Sequence, residues 1–441
     1  MWRIFLTVSL LCWSADGQVT CRDNNNGEVE WYIIYKAPKL NNIGTTGVEY
    51  LYIDSAGKKE TSTDHNKPIN HPNGVLANTL RPIFTTSMPD NFGFITYSDQ
   101  PPGCHAQEKF GHSKGVVMMD KTTTGVWLLH STPQFPFERD QNKFWPDSGA
   151  KNAQTFICVT FNYNTFQQIG EHLLDINAFT FDDHIPNNFH ENLQKLRKTE
   201  NNKRPPRVNE VKIQDLTSAG GTSFVTIAKK QYKAGGKTPH DDKFVGDLYL
   251  TIAHGYNTDV KVQTWGCQKD CDGSYCGERQ VIKIESVKTD LGNRLVKREV
   301  EWKTTCDHSK WCVAKDNNNH LICIADVNRA LSQYKRPGGG LCFIHQQASE
   351  LFKGVIDQTQ PCPSLTTTGA FALKGRLVRD TDSYSDSDCE SDSDTDFDSE
   401  PYCDSDSDSD PGGVLDVMAW LLQILDLSTI QSLWDYIKRW I

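Results

Sequence analysis

One tripeptide constrains this chain more than any other feature. His-Ser-Lys occurs twice, as His112-Ser113-Lys114 and His308-Ser309-Lys310, 196 residues apart. Chance predicts only ~0.06 such tripeptides in a chain of this composition, so two copies are not an accident of residue usage. Each copy also has an acid eight residues after its His, Asp120 and Asp316. On a strand, alternating side chains put His and Lys on one face and Ser on the other. Two such pairs meeting across a pseudo-twofold axis surround one point with two imidazoles and two ammonium groups. That arrangement suits a phosphodiester. The lysines bind non-bridging oxygens and stabilise the charge that develops in the transition state. One imidazole attacks phosphorus, and the other protonates the leaving oxygen. The scheme requires no metal and no cofactor.

The rest of the chain fits two mixed halves. Strand-like runs rich in β-branched and aromatic residues recur from 31 to about 360. They include Trp31–Tyr35, Val48–Ile53, Phe92–Tyr97, Val116–Met119, Thr155–Val159, Leu248–Ile252 and Leu321–Ile324. Stretches 187–198 and 326–335 read as helical. The predicted class is α/β, with mixed sheets flanked by helices. The polar, proline-broken segment 198–207 is the expected link between an N-terminal half (18–205) and a C-terminal half (206–378). Ala234-Gly-Gly-Lys-Thr238 lacks the upstream Gly of a phosphate-binding P-loop, because Gln231 stands there. No His-Glu-x-x-His is present.

Residues 1–17 read as a secretory signal: Arg3, an apolar run from Ile4 to Leu11, then small Ala15 and Gly17 before a cut at Gln18. Cys12 leaves with it, so thirteen of the fourteen cysteines remain. In an oxidising compartment most of them should be disulfides, and the odd count leaves at least one thiol over. The set Cys267, Cys271, Cys276, Cys306 and Cys312 has the look of a zinc site, but secretion favours disulfides. There is no Asn-x-Ser/Thr sequon. The expected destination is the secretory pathway, secreted or lysosomal.

The formal charge of −10 is misleading. Residues 380–410 hold fourteen acids and no Lys or Arg, and without them −10 becomes +4. The Ser-Asp-rich segment 379–413 cannot bury enough apolar surface to offset its ordering entropy and is expected to be disordered. Beyond it, 414–441 reads as an amphipathic helix, with Leu415, Met418, Leu421, Leu422 and Leu425 at helical spacing. It would dock on the body, self-associate or lie on a membrane surface. The acidic run is also a candidate mimic of a polyanionic ligand that competes for the basic site.

The chain resembles the deoxyribonuclease II family over roughly 30–360. The resemblance rests on Trp31-Tyr-Ile-Ile-Tyr-Lys36, Tyr50-Leu-Tyr-Ile-Asp54, Tyr97-Ser-Asp-Gln-Pro-Pro102, Gly111-His-Ser-Lys-Gly115, Gly125-Val-Trp-Leu-Leu-His-Ser131 and Gln154-Thr-Phe-Ile-Cys158. In the second half it rests on Gly246-Asp-Leu-Tyr249, Asp307-His-Ser-Lys-Trp311, Cys323-Ile-Ala-Asp-Val-Asn-Arg329 and Gly338-Gly-Gly-Leu-Cys342. It implies a phospholipase D-like fold of two similar halves, with the active site at their junction. It also implies metal-independent hydrolysis of double-stranded DNA at acid pH, leaving 3′-phosphate ends. The catalytic residues would be His112, Lys114, His308 and Lys310, with His112 as nucleophile and His308 as general acid. Asp120, Gln154, Asp316, Asp326 and Asn328 are candidate supporting residues. The implied disulfides are Cys21–Cys158, Cys267–Cys342 and Cys312–Cys323. Two other readings remain: a phosphodiesterase of this fold acting on another substrate such as lipid, and an inactive secreted DNA-binding protein.

Overall fold

The computed structural model describes residues 18–205, 209–233, 245–266 and 271–362. The expected signal (1–17), Cys267, the stretch 234–238, the acidic tail and the C-terminal helix lie outside the described residues.

The strands of the first half are β1 (Trp31–Lys36), β2 (Tyr50–Asp54), β3 (Lys59–Thr61), β4 (Phe92–Ser98), β5 (Lys114–Asp120), β6 (Thr124–His130), β7 (Gln154–Asn162) and β8 (Thr180–His184). They form one sheet in the order β8-β4-β5-β6-β7-β1-β2-β3, with all neighbours antiparallel. The second half supplies β9 (Lys212–Thr217), β10 (Ser223–Ala228), β11 (Val260–Gln263), β12 (Tyr275–Cys276), β13 (Gln280–Asp290), β14 (Glu299–Lys303), β15 (Trp311–Ala314), β16 (Leu321–Ala325), β17 (Gly339–Ile344) and β18 (Ile356–Thr359). Their order is β9-β10-β17-β16-β15-β11-β13-β12, with β14 and β18 also paired to β13. Here β11 and β13 run parallel.

The two sheets repeat one another. In each, four strands follow in space as they do in sequence: β4-β5-β6-β7 in the first, β11-β15-β16-β17 in the second. The His-Ser-Lys copy leads into the second strand of each quartet, with Lys114 the first residue of β5 and Lys310 just ahead of β15, and the fourth strand leads into a helix. Those helices are α2 (Phe166–Asp175) and α4 (Gln346–Gly354), with α1 (Val75–Leu80) and α3 (Leu248–Gly255) elsewhere. The architecture is thus the mixed α/β arrangement of two similar halves expected from the sequence.

Period-two alternation builds the layers. On β5, Val117 and Met119 enter a core shared by both halves, whereas Val116 and Met118 face α1. On β16, Ile322 and Ile324 enter the shared core, and Leu321, Cys323 and Ala325 face α3. Trp31, Trp127 and Trp311 are fully buried in the shared layer. Full burial of one large apolar side chain is worth about 1.5–3 kcal/mol, so this layer is a main bond between the halves.

Several expectations change. Leu248–Ile252 is helical, because the Asp247 side chain accepts the backbone N–H groups of Tyr249 (2.9 Å) and Leu250 (3.3 Å) and caps a helix start. Of 187–198, the α-helix covers Glu191–Gln194. Of 326–335, it covers Leu331–Lys335. Within the expected link, Lys198–Lys203 form a largely exposed 3₁₀ helix, with Asn201 buried and bonded to Thr180.

Two implied disulfides are corrected. Cys21 is bonded to Cys158, tying the first strand of the described chain to β7. Cys323, however, is bonded to Cys342, so neither Cys312–Cys323 nor Cys267–Cys342 forms. Cys312, Cys323 and Cys342 stand abreast on β15, β16 and β17 in direct register. One bond can use only two of the three, and Cys312 is left as a buried free thiol. Cys276 pairs with Cys362, and Cys271 and Cys306 are also in disulfides, which removes the zinc reading of that set.

Candidate active site

The motif-bearing ends of both quartets come together. Lys114 begins β5, beside Ser98 at the end of β4. The chain turns there, and Asp99 closes over the motif. Its Oδ2 contacts His112 Nδ1 at 2.7 Å, and its Oδ1 accepts from Lys114 Nζ at 2.7 Å. All three side chains are buried. Arg336, from the loop before β17, donates to Asp99 Oδ2 at 2.9 Å and to the Phe110 carbonyl at 3.1 Å. Glycines flank this motif for steric reasons. A Cβ on Gly111 would lie 2.2 Å from the Ile176 carbonyl oxygen, and one on Gly115 would lie 2.3 Å from the Tyr97 hydroxyl.

The second motif is held differently. Asp307, immediately before His308, turns into the shared core. There it accepts from Tyr35 Oη, from Trp302 Nε1 (2.8 Å) and from the Ser309 N–H (2.9 Å). Lys310 Nζ donates to the His308 carbonyl at 2.7 Å. The His308 ring lies 4.8 Å from the Trp265 ring, centroid to centroid, and its Nε2 is buried without a hydrogen-bond partner among the described residues.

Each motif is latched by the other half. The His112 N–H donates to the Pro337 carbonyl (3.2 Å), just ahead of β17. The His308 N–H donates to the Ala153 carbonyl (2.9 Å), just ahead of β7, and Ala153 N–H donates to Cys306. Since β7 and β17 occupy equivalent places, this is one contact made twice across a pseudo-twofold axis.

The electrostatics follow from burial and crowding of cations. Burial pulls His112 down to about 4, with Asp99 opposing and Lys114 reinforcing the fall. His308 is held well below an ordinary imidazole by burial, then by Lys310, His112, Lys114 and Lys151. The two imidazoles therefore lie near enough to sense each other's charge. Burial alone would raise Asp99, but His112, Lys114 and Arg336 outweigh it and hold the carboxyl well below its usual range. Asp326 goes the other way: burial pushes it up to about 8.

The remaining sequence candidates divide. Gln154 begins β7 beside the site, buried, with Oε1 accepting from Ser131 Oγ at 2.5 Å. Asn328 accepts from the Trp265 N–H at 3.2 Å and so supports the residue stacked near His308. Asp326 follows β16, next to Lys310. Asp120 and Asp316 are not at the site. Asp120 ends β5, six residues and roughly 20 Å of strand from Lys114, where it accepts from Asn91 and caps the turn at Thr122. Asp316 sits in the β15–β16 turn, accepting from the Asn318 N–H. Their equal spacing from His is no structural equivalence: Asp120 is the last residue of the seven-residue β5, whereas Asp316 lies beyond the end of the four-residue β15.

A protein-family model described as Deoxyribonuclease II matches residues 20–362, which includes both motifs. The chain belongs to the deoxyribonuclease II family. Human deoxyribonuclease-2-beta is 30% identical over 356 residues, 78% of this chain and 92% of that protein. Cell-death-related nuclease 7 of Caenorhabditis elegans is 28% identical over 378 residues, 85% of this chain and 96% of that protein. Among solved structures, the yeast tyrosyl-DNA phosphodiesterase covers 56% of this chain and 69% of its own at 8% identity, with a TM-score of 0.26.

Sequence reasoning missed Asp99, Arg336 and His130 in this member of the deoxyribonuclease II family. His130 ends β6 with its ring stacked on Phe156, its Nδ1 accepting the Thr132 N–H (3.2 Å) and its Nε2 buried without a partner among the described residues. Burial and then Lys114 hold it well below the usual range. Asp99 and His130 lay inside the quoted stretches, yet nothing in their spacing linked them to His112.

Proposed function

We propose that this deoxyribonuclease II-family hydrolase is an endonuclease that cuts double-stranded DNA at acid pH and leaves 3′-phosphate ends. The observation that carries the reading is the union of both His-Ser-Lys copies at one junction, with a carboxylate on His112. An ionised Asp99 can only accept, so a neutral His112 presents Nδ1–H to it and keeps the Nε2 lone pair. That Nε2 attacks phosphorus and forms a phosphohistidine. The P–O5′ bond breaks, and His308 gives its proton to the leaving 5′ oxygen. Water then attacks the phosphohistidine and loses its proton to His308, which releases the 3′-phosphate and restores both imidazoles. Lys114 and Lys310 offset the developing negative charge, work that these side chains can do directly.

The acid optimum follows from His308. Burial and neighbouring cations disfavour its proton in the free site, so protonation needs acid or the charge of a bound phosphate. The disulfides and the signal-like residues 1–17 support the secretory pathway as the setting of this activity, in a secreted or lysosomal enzyme.

The test is nicking of supercoiled plasmid at pH 5 in EDTA. Wild type should nick. His112→Ala and His308→Ala should each lose about 10⁴-fold or more. Wild type should also slow at least about tenfold between pH 5 and pH 8. A wild type that leaves the plasmid intact at pH 5 overturns the reading.

A further inference from the structure

The pseudo-twofold axis pairs two residues of unlike chemistry. After β6, the Ser131 N–H donates to the Thr155 carbonyl (3.1 Å), and Ser131 Oγ accepts the Thr155 N–H (3.0 Å). After β16, the Asp326 N–H donates to the Gly339 carbonyl (2.9 Å), and Asp326 Oδ2 accepts the Gly339 N–H (3.1 Å). The first half therefore fills this place with a neutral hydroxyl and the second with a carboxyl group.

That carboxyl group is buried, and its Oδ1 has no hydrogen-bond partner among the described residues. Two ammonium groups act on it electrostatically, Lys114 on β5 and Lys310 ahead of β15. Neither is hydrogen-bonded to Oδ1: Lys114 donates to Asp99, and Lys310 donates to the His308 carbonyl. The other titratable groups acting on it are Asp99 after β4, Tyr97 on β4 and Tyr249 on α3. A buried carboxylate beside two lysines would be expected to take one as an ion pair, since an unpaired buried charge is costly. A neutral carboxylic acid needs no cation on Oδ1 and can donate a hydrogen bond from it.

We infer that Asp326 is a proton-gated ligand for a DNA phosphate: protonated, its Oδ1–H joins Lys114 and Lys310 around a non-bridging oxygen, and ionised, it cancels their charge and repels the phosphate. The inference rests on the nuclease reading above and adds a second pH-sensitive group to it. His308 sets when the leaving oxygen can be protonated. Asp326 sets when the phosphate can be held. Burial places its proton loss near pH 8, well above that of either imidazole, so the two effects separate along the pH axis.

The experiment compares full-length wild type with Asp326→Asn. Binding of a short phosphorothioate duplex, chosen to resist hydrolysis, is followed by fluorescence anisotropy in EDTA from about pH 6 to pH 9. Wild type should lose at least about tenfold more affinity than Asp326→Asn across that range. Parallel losses overturn the inference. Thermal melting supplies a second measurement that does not depend on DNA. A carboxyl whose folded pKa is raised holds its proton when the unfolded chain has released it, so it loses stability as pH rises from about 4 to about 8. The Tm of Asp326→Asn relative to wild type should therefore rise with pH, and a gap constant in pH overturns the inference. Failure of the nuclease reading would register separately, as wild type that does not nick plasmid at pH 5.

Discussion

The two His-Ser-Lys copies share a sequence, a strand position and a latch from the opposite half, yet their supports differ. His112 and Lys114 share one carboxylate, Asp99, which also takes Arg336 from the other half. His308 has a carboxylate next to it in sequence, but Asp307 faces Tyr35 and Trp302 in the core. A carboxylate on Nδ1 fixes the tautomer and leaves Nε2 free to attack. A ring resting near Trp265 is better suited to carrying a proton to a leaving group. The two copies supply matching groups in unlike surroundings, and the proposed division into nucleophile and general acid rests on that difference.

The sharpest way to break this contrast is to neutralise each acid in turn. Asp99→Asn should lower kcat by about 10²-fold or more, because the His112 tautomer is no longer fixed. Asp307→Asn should change kcat less than tenfold and act mainly on Tm, since its partners are structural. Equal losses of kcat at pH 5 would show that the two motifs are not chemically distinct.

A smaller effect concerns stability rather than turnover. His172 on α2 is buried against Trp127, and burial alone lowers it to about 3. Its folded pKa lies below the unfolded value near 6.5, so acid protonates the unfolded chain first. Stability from this group is full above about pH 6.5 and declines as pH falls. It amounts to about 2 kcal/mol between pH 7 and pH 5. His172→Gln should flatten the dependence of Tm on pH by that amount while sparing the pH profile of nicking. A change in that profile would place His172 in the motif electrostatics instead. Smallest of all, Cys312→Ala should cost on the order of 1 kcal/mol and leave the pH 5 rate unaltered, since the thiol is buried and inert. A large loss would mean that Cys312 helps to set the strand bearing Lys310.

Much of the fold was legible because period-two alternation and β-branched runs are local signals. Trp31–Lys36, Phe92–Ser98 and Leu321–Ala325 are strands where the pattern placed them. Leu248–Ile252 shows the limit: a solid apolar run has no period, and a single capping carboxylate at Asp247 decides for helix. The motif residues were legible because they repeat. Asp99 was not, because it lies thirteen residues before His112 and arrives only through the pairing of β4 with β5. Asp120 and Asp316 misled for the opposite reason, since equal spacing survives duplication whether or not it carries chemistry. The cysteines fail similarly, for three in register offer two pairings and sequence does not choose.

The shared layer of Trp31, Trp127 and Trp311 has one last consequence. Each sheet hides one face only against the other, so a single half standing alone would have to find a twin. In such a twin every replacement would appear in both copies at once, and a serine could not oppose an aspartate. Joining the copies in one polypeptide lifts that restriction. Positions 131 and 326, or 99 and its counterpart, become free to drift apart under separate selection, and the symmetric ancestor of a site can become an asymmetric machine without ever dissolving its interface.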